Sequence, residues 1–290
     1  MTIQNIKAQI ENSSVIALHC SLGSGRQWAK LAQELDTHFR MVAPDISGYG
    51  DDRGSTVLPM TLADEVAYLS EALSKAEGPI HLVGHSYGGA IAFKIATASP
   101  VTDRVRSLTL IEPVLPTLLK ESTADQRLYD LFVHLGRNVS ADLCKGMYME
   151  AIDRFITYWN GSGPAAPLSA EAQLRMIERV EKLAFDFTAA LAEQNVASAA
   201  ATIGVPTLLL SGGLSPYFTQ RIVYRLTSII TSAQAHHLPA AGHMLPLTHA
   251  KIVNPLIAAH IKRADDLAGI SLAVEPTDWI VHRELGPAPN

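Results

Sequence analysis

The sequence predicts an α/β fold built on a doubly wound, mostly parallel sheet. Short apolar runs alternate with stretches of helical periodicity along the 290 residues, which is typical of strands that are each followed by a helix. With 48% hydrophobic residues, a chain of this length can bury one large core as a single domain. In such folds the functional residues lie at the carboxyl ends of the strands.

Six apolar runs are the predicted strands. They cover residues 15–18, 41–43, 80–83, 108–111, 207–210 and 235–238. Helical patterns such as residues 28–35 and 62–73 lie between them, and residues 3–10 supply at most one further strand.

The most informative motif is Gly84-x-Ser86-x-Gly88, which follows one of these runs and opens a helical stretch. Glycine on each side lets the chain turn so sharply that the serine side chain stands exposed, with the Tyr87 N–H at the start of the helix. A tight structural turn is the alternative. Because strand, turn and helix are all predicted, we interpret Ser86 as a nucleophile.

A nucleophilic serine requires a base, because a hydroxyl is weakly nucleophilic near neutral pH. His243 follows a late apolar run in the turn Pro-Ala-Ala-Gly-His-Met, which suits this role. The other histidines lie within the elbow or a strand, or lack a turn signal, and are interpreted as packing or surface residues.

Five segments, in order along the chain, resemble the α/β-hydrolase superfamily. Residues 15–23 resemble a strand running into a His-Gly oxyanion loop, and residues 43–50 the segment after the next strand. The serine elbow, residues 204–211 and residues 241–243 complete the series. The resemblance covers about residues 13–264 and implies the order nucleophile, acid, histidine.

The acid departs from the usual family pattern. No Asp or Glu occurs between Glu193 and Asp265, so the common acid position is empty. Some family members place the acid after the preceding strand, where this chain has Glu112, and we assign Glu112 to orient His243. Alternatively, Glu112 anchors a loop, which would leave a Ser86–His243 dyad with Ser215 bonded to the histidine.

The resemblance also implies an oxyanion hole formed by the backbone amides of Ser21 and Tyr87. Cys20 stands where glycine is usual, which restricts this turn. We expect Cys20 to be a packed, inert cysteine rather than a reactive thiol. His19 is expected to anchor the loop rather than touch substrate.

The resemblance divides the chain into an α/β-hydrolase core of residues 1–112 and 204–264 and a helical cap, 113–203, inserted after strand 6 of the family sheet. Helical patterns in the cap cover residues 124–135, 141–159 and 170–192. Candidate pocket residues, each alternatively a packing residue, are Tyr129, Phe132, His134, Met147, Tyr148, Phe155, Tyr158 and Trp159. The tail 265–290 is expected to cover the sheet edge, pair with a second subunit as a homodimer, or fray.

Composition narrows the expected partners to a small-molecule substrate. The net charge of −5 disfavours nucleic acid and anionic membranes. No apolar run approaches about 18 residues, no secretory signal is evident, and two cysteines without metal-site spacing favour a cytoplasmic protein with no metal. The cap carries eight Lys or Arg against eleven Asp or Glu, which favours a neutral, apolar substrate over a polyanionic one.

These observations predict a cofactor-free serine hydrolase that cleaves carboxylic esters or lactones of small, neutral, apolar substrates through an acyl-enzyme on Ser86. The motifs leave open a C–C bond hydrolase of ring-cleavage products and a haloperoxidase or perhydrolase side activity, because the same triad serves them. A ligand-binding receptor or pseudoenzyme on the same fold is the alternative outside catalysis.

Overall fold

A parallel sheet organises the chain. The computed structural model describes residues 13–35, 39–51, 59–120, 122–161 and 169–273. Within these ranges one sheet has the strand order β2-β1-β3-β4-β5-β6, with every pairing parallel. The strands are β1 (Ser14–Leu18), β2 (Arg40–Val42), β3 (Ile80–His85), β4 (Val105–Ile111), β5 (Thr207–Gly212) and β6 (Ala233–Leu238). The sequence predicted all six within about three residues at each end, so the predicted fold class is confirmed.

The helices of the described residues connect these strands. Before β4 they are α1 (Ala29–Glu34), α2 (Leu62–Tyr68), α3 (Ser70–Lys75) and α4 (Tyr87–Ala98). Between β4 and β5 they are α5 (Thr117–Lys120), α6 (Gln126–Cys144), α7 (Tyr148–Asn160), α8 (Ala170–Ile177), α9 (Lys182–Ala192) and α10 (Val196–Ala201). After β5 they are α11 (Tyr217–Ile229), α12 (Leu245–Thr248) and α13 (Ala250–Ala273). None of the helices in these ranges is long and apolar enough to cross a membrane.

The central strands are apolar on both faces because helices cover both. Successive side chains of a strand point to opposite faces. In β1, Ile16 belongs to the hydrophobic cluster that contains Ile91 of α4, whereas Val15 belongs to the cluster that contains Ile257 of α13. This two-sided burial explains why the strands appear in the sequence as continuous apolar runs.

The helices inserted between β4 and β5 differ from the prediction in where they break. The predicted helix over residues 141–159 is interrupted between Cys144 and Tyr148, where Gly146 has φ +72°. A left-handed glycine ends a helix at little cost, because it has no Cβ to clash. The pattern over residues 170–192 is likewise divided into α8 and α9, and that over residues 62–73 into α2 and α3.

The last helix continues beyond the predicted core boundary at residue 264. Helix α13 runs to Ala273, and Asp265 is buried beside the His81 ring, with Oδ1 and Nε2 3.2 Å apart. This contact holds the first residues of the predicted tail in the helix. The remaining tail, 274–290, and the predicted strand at residues 3–10 lie outside the described residues.

Candidate active site

Ser86 occupies a strained elbow between β3 and α4. Its φ of +57° and ψ of −118° are costly for a residue with a Cβ. The flanking glycines permit this turn. A Cβ on Gly84 would lie 2.4 Å from the Gly88 oxygen, and a Cβ on Gly88 would lie 2.3 Å from the His19 oxygen. A 2.9 Å hydrogen bond from the Ser86 N–H to the Ile111 carbonyl also stabilises the elbow.

The structure brings Ser86, His243 and Glu112 into one hydrogen-bonded row. The Ser86 hydroxyl donates to His243 Nε2 at 2.9 Å, and His243 Nδ1 donates to Glu112 Oε2 at 2.6 Å. The carboxylate fixes the imidazole tautomer, because an ionised carboxylate can only accept a hydrogen bond. Nε2 is therefore free to accept the serine proton.

Glu112 is completely buried at the end of β4, in a left-handed conformation with φ +46°. Its second oxygen, Oε1, accepts a 2.7 Å hydrogen bond from the Gly212 N–H at the end of β5. Glu112 thus both anchors this loop and contacts His243, although the sequence analysis treated these roles as alternatives. Ser215 does not bond the histidine, since its buried hydroxyl has no hydrogen-bond partner among the described residues.

The loop after β1 carries Ser21, and buried histidine contacts hold it. The Ile46 N–H donates to His19 Nε2 at 2.9 Å, so Nδ1 bears the proton that bonds the Cys20 carbonyl at 2.7 Å. Burial lowers the pKa of His19, which keeps the ring neutral. Leu22 adopts φ +58° in the same loop. His19 therefore anchors the loop, as expected.

The backbone amides of Ser21 and Tyr87 lie in this loop and at the start of α4. Among the described residues, neither amide donates to a backbone carbonyl. Both are therefore available to a bound oxygen atom. Cys20 precedes Ser21 in the loop and is buried, and burial raises the pKa of its thiol to about 12. It is an unreactive thiol at neutral pH.

A second hydrogen-bonded chain, which the sequence analysis missed, connects the loop after β1 to the loop that carries His243. His85 Nε2 donates to the His243 carbonyl at 2.8 Å, which leaves His85 Nδ1 to accept from the Gln27 amide at 3.2 Å. The Gln27 side-chain oxygen then accepts the Cys20 N–H at 3.3 Å. Burial lowers the pKa of His85 well below its usual range, so the ring stays neutral.

A cavity of about 730 Å³ opens onto Ser86 and His243. The inserted helices supply part of its wall through Phe155, Ile156 and Trp159. Of the eight pocket candidates named from the sequence, Phe155 and Trp159 line this cavity. Phe132 instead stacks on Phe218 within the core, with ring centroids 4.6 Å apart.

Charged side chains also line this cavity. They are Arg26, Asp51, Arg175, Glu178 and Arg179. Arg26 and Asp51 form an exposed ion pair at 3.0 Å, and Arg179 donates to the Gly50 carbonyl at 3.1 Å. In the part of the chain that the structure describes, no group of three or more His, Cys, Asp or Glu side chains could hold a metal ion.

Comparison with known proteins bears on the fold. The family model for the alpha/beta hydrolase fold matches residues 14–250. The chain belongs to the α/β-hydrolase family. MenH from Staphylococcus aureus shares the fold of this α/β hydrolase, with a TM-score of 0.69 and 20% identity over 87% of this chain and 94% of MenH.

Relatives of this α/β hydrolase are named as lipases and other hydrolases. Lipase LipV of Mycobacterium tuberculosis is 36% identical over 102 residues, which are 35% of this chain and 37% of LipV. The match thus spans little more than a third of that lipase. RutD of Pantoea ananatis, whose name describes a carbamate hydrolase, is 26% identical over 262 residues, 88% of this chain and 90% of RutD.

Proposed function

We propose that the protein is a serine hydrolase that cleaves esters or lactones of small, neutral, apolar substrates through an acyl-enzyme on Ser86. The observation that carries this proposal is the row Ser86–His243–Glu112, in which every hydrogen bond has the polarity that catalysis requires and which faces a 730 Å³ cavity. A receptor would not need this polarity.

In the proposed reaction, Ser86 Oγ attacks the substrate carbonyl carbon while His243 Nε2 takes the hydroxyl proton. Glu112 stabilises the resulting imidazolium through the 2.6 Å bond to Nδ1. The amides of Ser21 and Tyr87 bind the negative oxygen of the tetrahedral intermediate. The C–O bond then breaks, the alcohol leaves with the proton from Nε2, and a water molecule hydrolyses the acyl-enzyme by the same steps.

The cavity supports an apolar substrate. Phe155, Ile156, Trp159, Met176 and Leu247 contribute apolar side chains to its lining. An acyl or alkyl group would bury apolar surface there, whereas a group with several negative charges would face Asp51 and Glu178 as well as the arginines. The relatives named as a lipase and a carbamate hydrolase support chemistry at a carbonyl carbon.

Pre-steady-state kinetics with p-nitrophenyl acetate and butyrate test the acyl-enzyme. We expect a burst of p-nitrophenol close to one equivalent per protein, followed by slower turnover, because acylation precedes hydrolysis. Ser86→Ala should lose both phases while its circular dichroism stays unchanged. Turnover that persists in Ser86→Ala would overturn the proposal.

The chain offers a matched control in a second buried Ser–His pair. Ser107 Oγ lies 2.8 Å from His81 Nδ1, and Asp265 lies on the other side of that ring. Ser107 and His81 are fully buried, and neither lines the cavity. Ser107→Ala should therefore keep the burst and the turnover of the wild type.

A further inference from the structure

A buried ion cluster joins the inserted helices to the core beneath the oxyanion loop. Lys182 and Asp186 lie one turn apart on α9, and Glu65 lies on α2; their exposures are 2%, 5% and 0%. The Lys182 ammonium donates to Asp186 Oδ1 at 2.5 Å and to Glu65 Oε1 at 2.7 Å. One ammonium thus bridges two carboxylates from different parts of the chain.

This cluster binds the side chains of both residues whose amides are proposed to form the oxyanion hole. The Ser21 hydroxyl donates to Asp186 Oδ2 at 2.5 Å. The Tyr87 hydroxyl donates to Glu65 Oε1 at 3.0 Å. Tyr49 adds a third hydroxyl, which donates to Asp186 Oδ2 at 2.6 Å. Ser21 and Tyr87 are 66 positions apart in the sequence, yet their hydroxyls bond to the two carboxylates that Lys182 bridges.

Stability alone does not account for such a cluster. Taking three ions out of water costs free energy that their mutual attraction repays only in part, and apolar side chains often fill such sites equally well. The loop that holds Ser21 also contains the left-handed Leu22, a conformation that persists only where surrounding contacts hold it. Asp186 supplies such a contact directly.

We propose that Asp186, itself held by Lys182, is a positioning residue for the oxyanion hole: it fixes Ser21 so that the Ser21 amide meets the developing negative charge. This inference rests on the proposed serine-hydrolase function. Because Asp186 belongs to α9, the hole is complete only when the inserted helices are seated on the core. The inserted helices then contribute to turnover as well as to the pocket wall.

The role proposed for Asp186 is geometric rather than electrostatic. The negative charge of Asp186, which contacts Ser21, would by itself oppose the formation of an oxyanion nearby. Removing the Ser21 hydroxyl and truncating Asp186 to alanine should nevertheless have the same effect, because each change removes one partner of the same hydrogen bond. An electrostatic role would instead make the two changes act in opposite directions.

The test compares Ser21→Ala, Asp186→Ala and the double variant. Each retains the Ser21 amide, so a loss reflects the position or the surroundings of that amide and not the deletion of the donor. The readouts are kcat and KM for p-nitrophenyl butyrate and the inhibition constant of phenylboronic acid, which forms a tetrahedral anionic adduct with an active serine and so occupies the hole. We expect kcat and boronate affinity each to fall roughly tenfold, with KM changed less than twofold. This loss is smaller than the hundredfold or greater loss that is typical of deleting an oxyanion-hole donor, because the amide itself remains.

Coupling between the two positions is the decisive result. The double variant should be no worse than the more impaired single variant, because one hydrogen bond is lost in each case. Ser21→Thr, which keeps the hydroxyl, should recover most of the activity. If Asp186→Ala fails to fold, Ser21→Ala and Ser21→Thr still give the comparison, since they leave Lys182, Glu65 and Asp186 in place.

Asp142 provides a matched control. It is a buried aspartate of the inserted helices that pairs with Arg154 at 2.8 Å and, among the described residues, makes no hydrogen bond with Ser21 or Tyr87. Asp142→Ala should leave kcat and boronate affinity unchanged. Unchanged values in folded Ser21→Ala and Asp186→Ala, or independent additive losses, would overturn the positioning role alone. A wild-type protein with neither turnover nor boronate binding would overturn the proposed function as well.

Discussion

The indole ring of Trp159 lies nearly parallel to the imidazole ring of His243, with centroids 4.3 Å apart and an angle of 21° between the planes. Trp159 comes from α7 of the inserted helices and is 6% exposed. Hydrogen bonds fix the two nitrogens of His243, while the indole covers one face of its ring. The face of an indole attracts a cation, so this arrangement favours the imidazolium that the proposed reaction forms at His243.

Replacing Trp159 should therefore slow the chemical step. We expect Trp159→Leu to lower kcat for p-nitrophenyl acetate about tenfold, because a cation–π contact contributes roughly 0.5–2 kcal/mol. Trp159→Phe, which keeps an aromatic face, should retain most of the activity. The short acetate limits effects from the altered pocket wall. A Trp159→Leu variant with the kcat of the wild type would show that the stacking has no part in catalysis.

Glu112→Gln should lower kcat by several orders of magnitude while preserving the fold. The amide oxygen can keep the bond to the Gly212 N–H, which then turns the NH₂ group toward His243 Nδ1. That contact favours the tautomer with the proton on Nε2, so the ring cannot accept a proton from Ser86; a loss of about 10⁴-fold is known for this change in a related triad. Steady-state kinetics and circular dichroism measure the two effects.

A second acid position provides a rescue for the Glu112→Gln variant. The Ser215 hydroxyl is buried, has no partner within the described ranges, and lies beside Gly212. Adding Ser215→Asp to Glu112→Gln should restore part of kcat, since a carboxylate would again be available to His243. A Glu112→Gln enzyme with wild-type kcat would remove Glu112 from the mechanism and leave a dyad.

Substrate preference tests the interpretation of the inserted helices as a cap over an apolar pocket. We expect kcat/KM to be higher for short-chain and aromatic p-nitrophenyl esters than for acyl-coenzyme A with the same acyl group. The acyl groups are identical, so the comparison isolates the polyanionic leaving group. Two of the three arginines that line the cavity, Arg26 and Arg175, already pair with carboxylates, which leaves little positive charge for such a group. A higher kcat/KM for the coenzyme A ester would contradict a neutral, apolar substrate class.

Glu65 should give the stability of the protein a specific pH dependence. Burial raises its pKa from 4.5 to about 7, although the Lys182 ammonium opposes this change. Between these two pH values the folded protein holds a proton that the unfolded chain has lost, so the free energy of unfolding falls as the pH rises through this window. At about 1.4 kcal/mol per pH unit, this contribution is at most about 3.5 kcal/mol.

Tyr49, Tyr87 and Lys182, which surround Glu65, do not produce this slope. The pKa values of Tyr49 and Tyr87 are raised by burial, and that of Lys182 is raised by the two carboxylates despite its burial, so these groups titrate above the window. Asp186 also belongs to the cluster, and it is present in both of the proteins compared below. Urea unfolding between pH 4.5 and 7 should show a smaller decline in stability for Glu65→Gln than for the wild type. Equal slopes would indicate that Glu65 titrates normally.

The sequence was most informative where function depends on local geometry. The elbow of Ser86 requires glycines at fixed spacing, and the absence of carboxylates near His243 left Glu112 as the candidate acid. The buried cluster could not be predicted in this way. Ser21 and Asp186 are 165 positions apart, and Lys182 in a helical pattern resembles any solvent-exposed lysine until the fold places it against Glu65.

Helix breaks and hydrogen-bonded chains were also missed for physical reasons. The α6–α7 break depends on one left-handed glycine, Gly146, within an otherwise helical pattern. The Gln27–His85 contact depends on the neutral state of a buried histidine, which burial rather than sequence determines.

Covalent labelling of Ser86 tests the central claim most directly. The wild-type protein should react with a fluorophosphonate probe at one equivalent, and peptide mass spectrometry should locate the adduct on Ser86, because His243 and the elbow activate this hydroxyl alone. Ser86→Ala should remain unlabelled and Ser107→Ala should label like the wild type. An adduct on another serine, or no adduct in a protein that still hydrolyses esters, would contradict the assignment of Ser86 as the nucleophile.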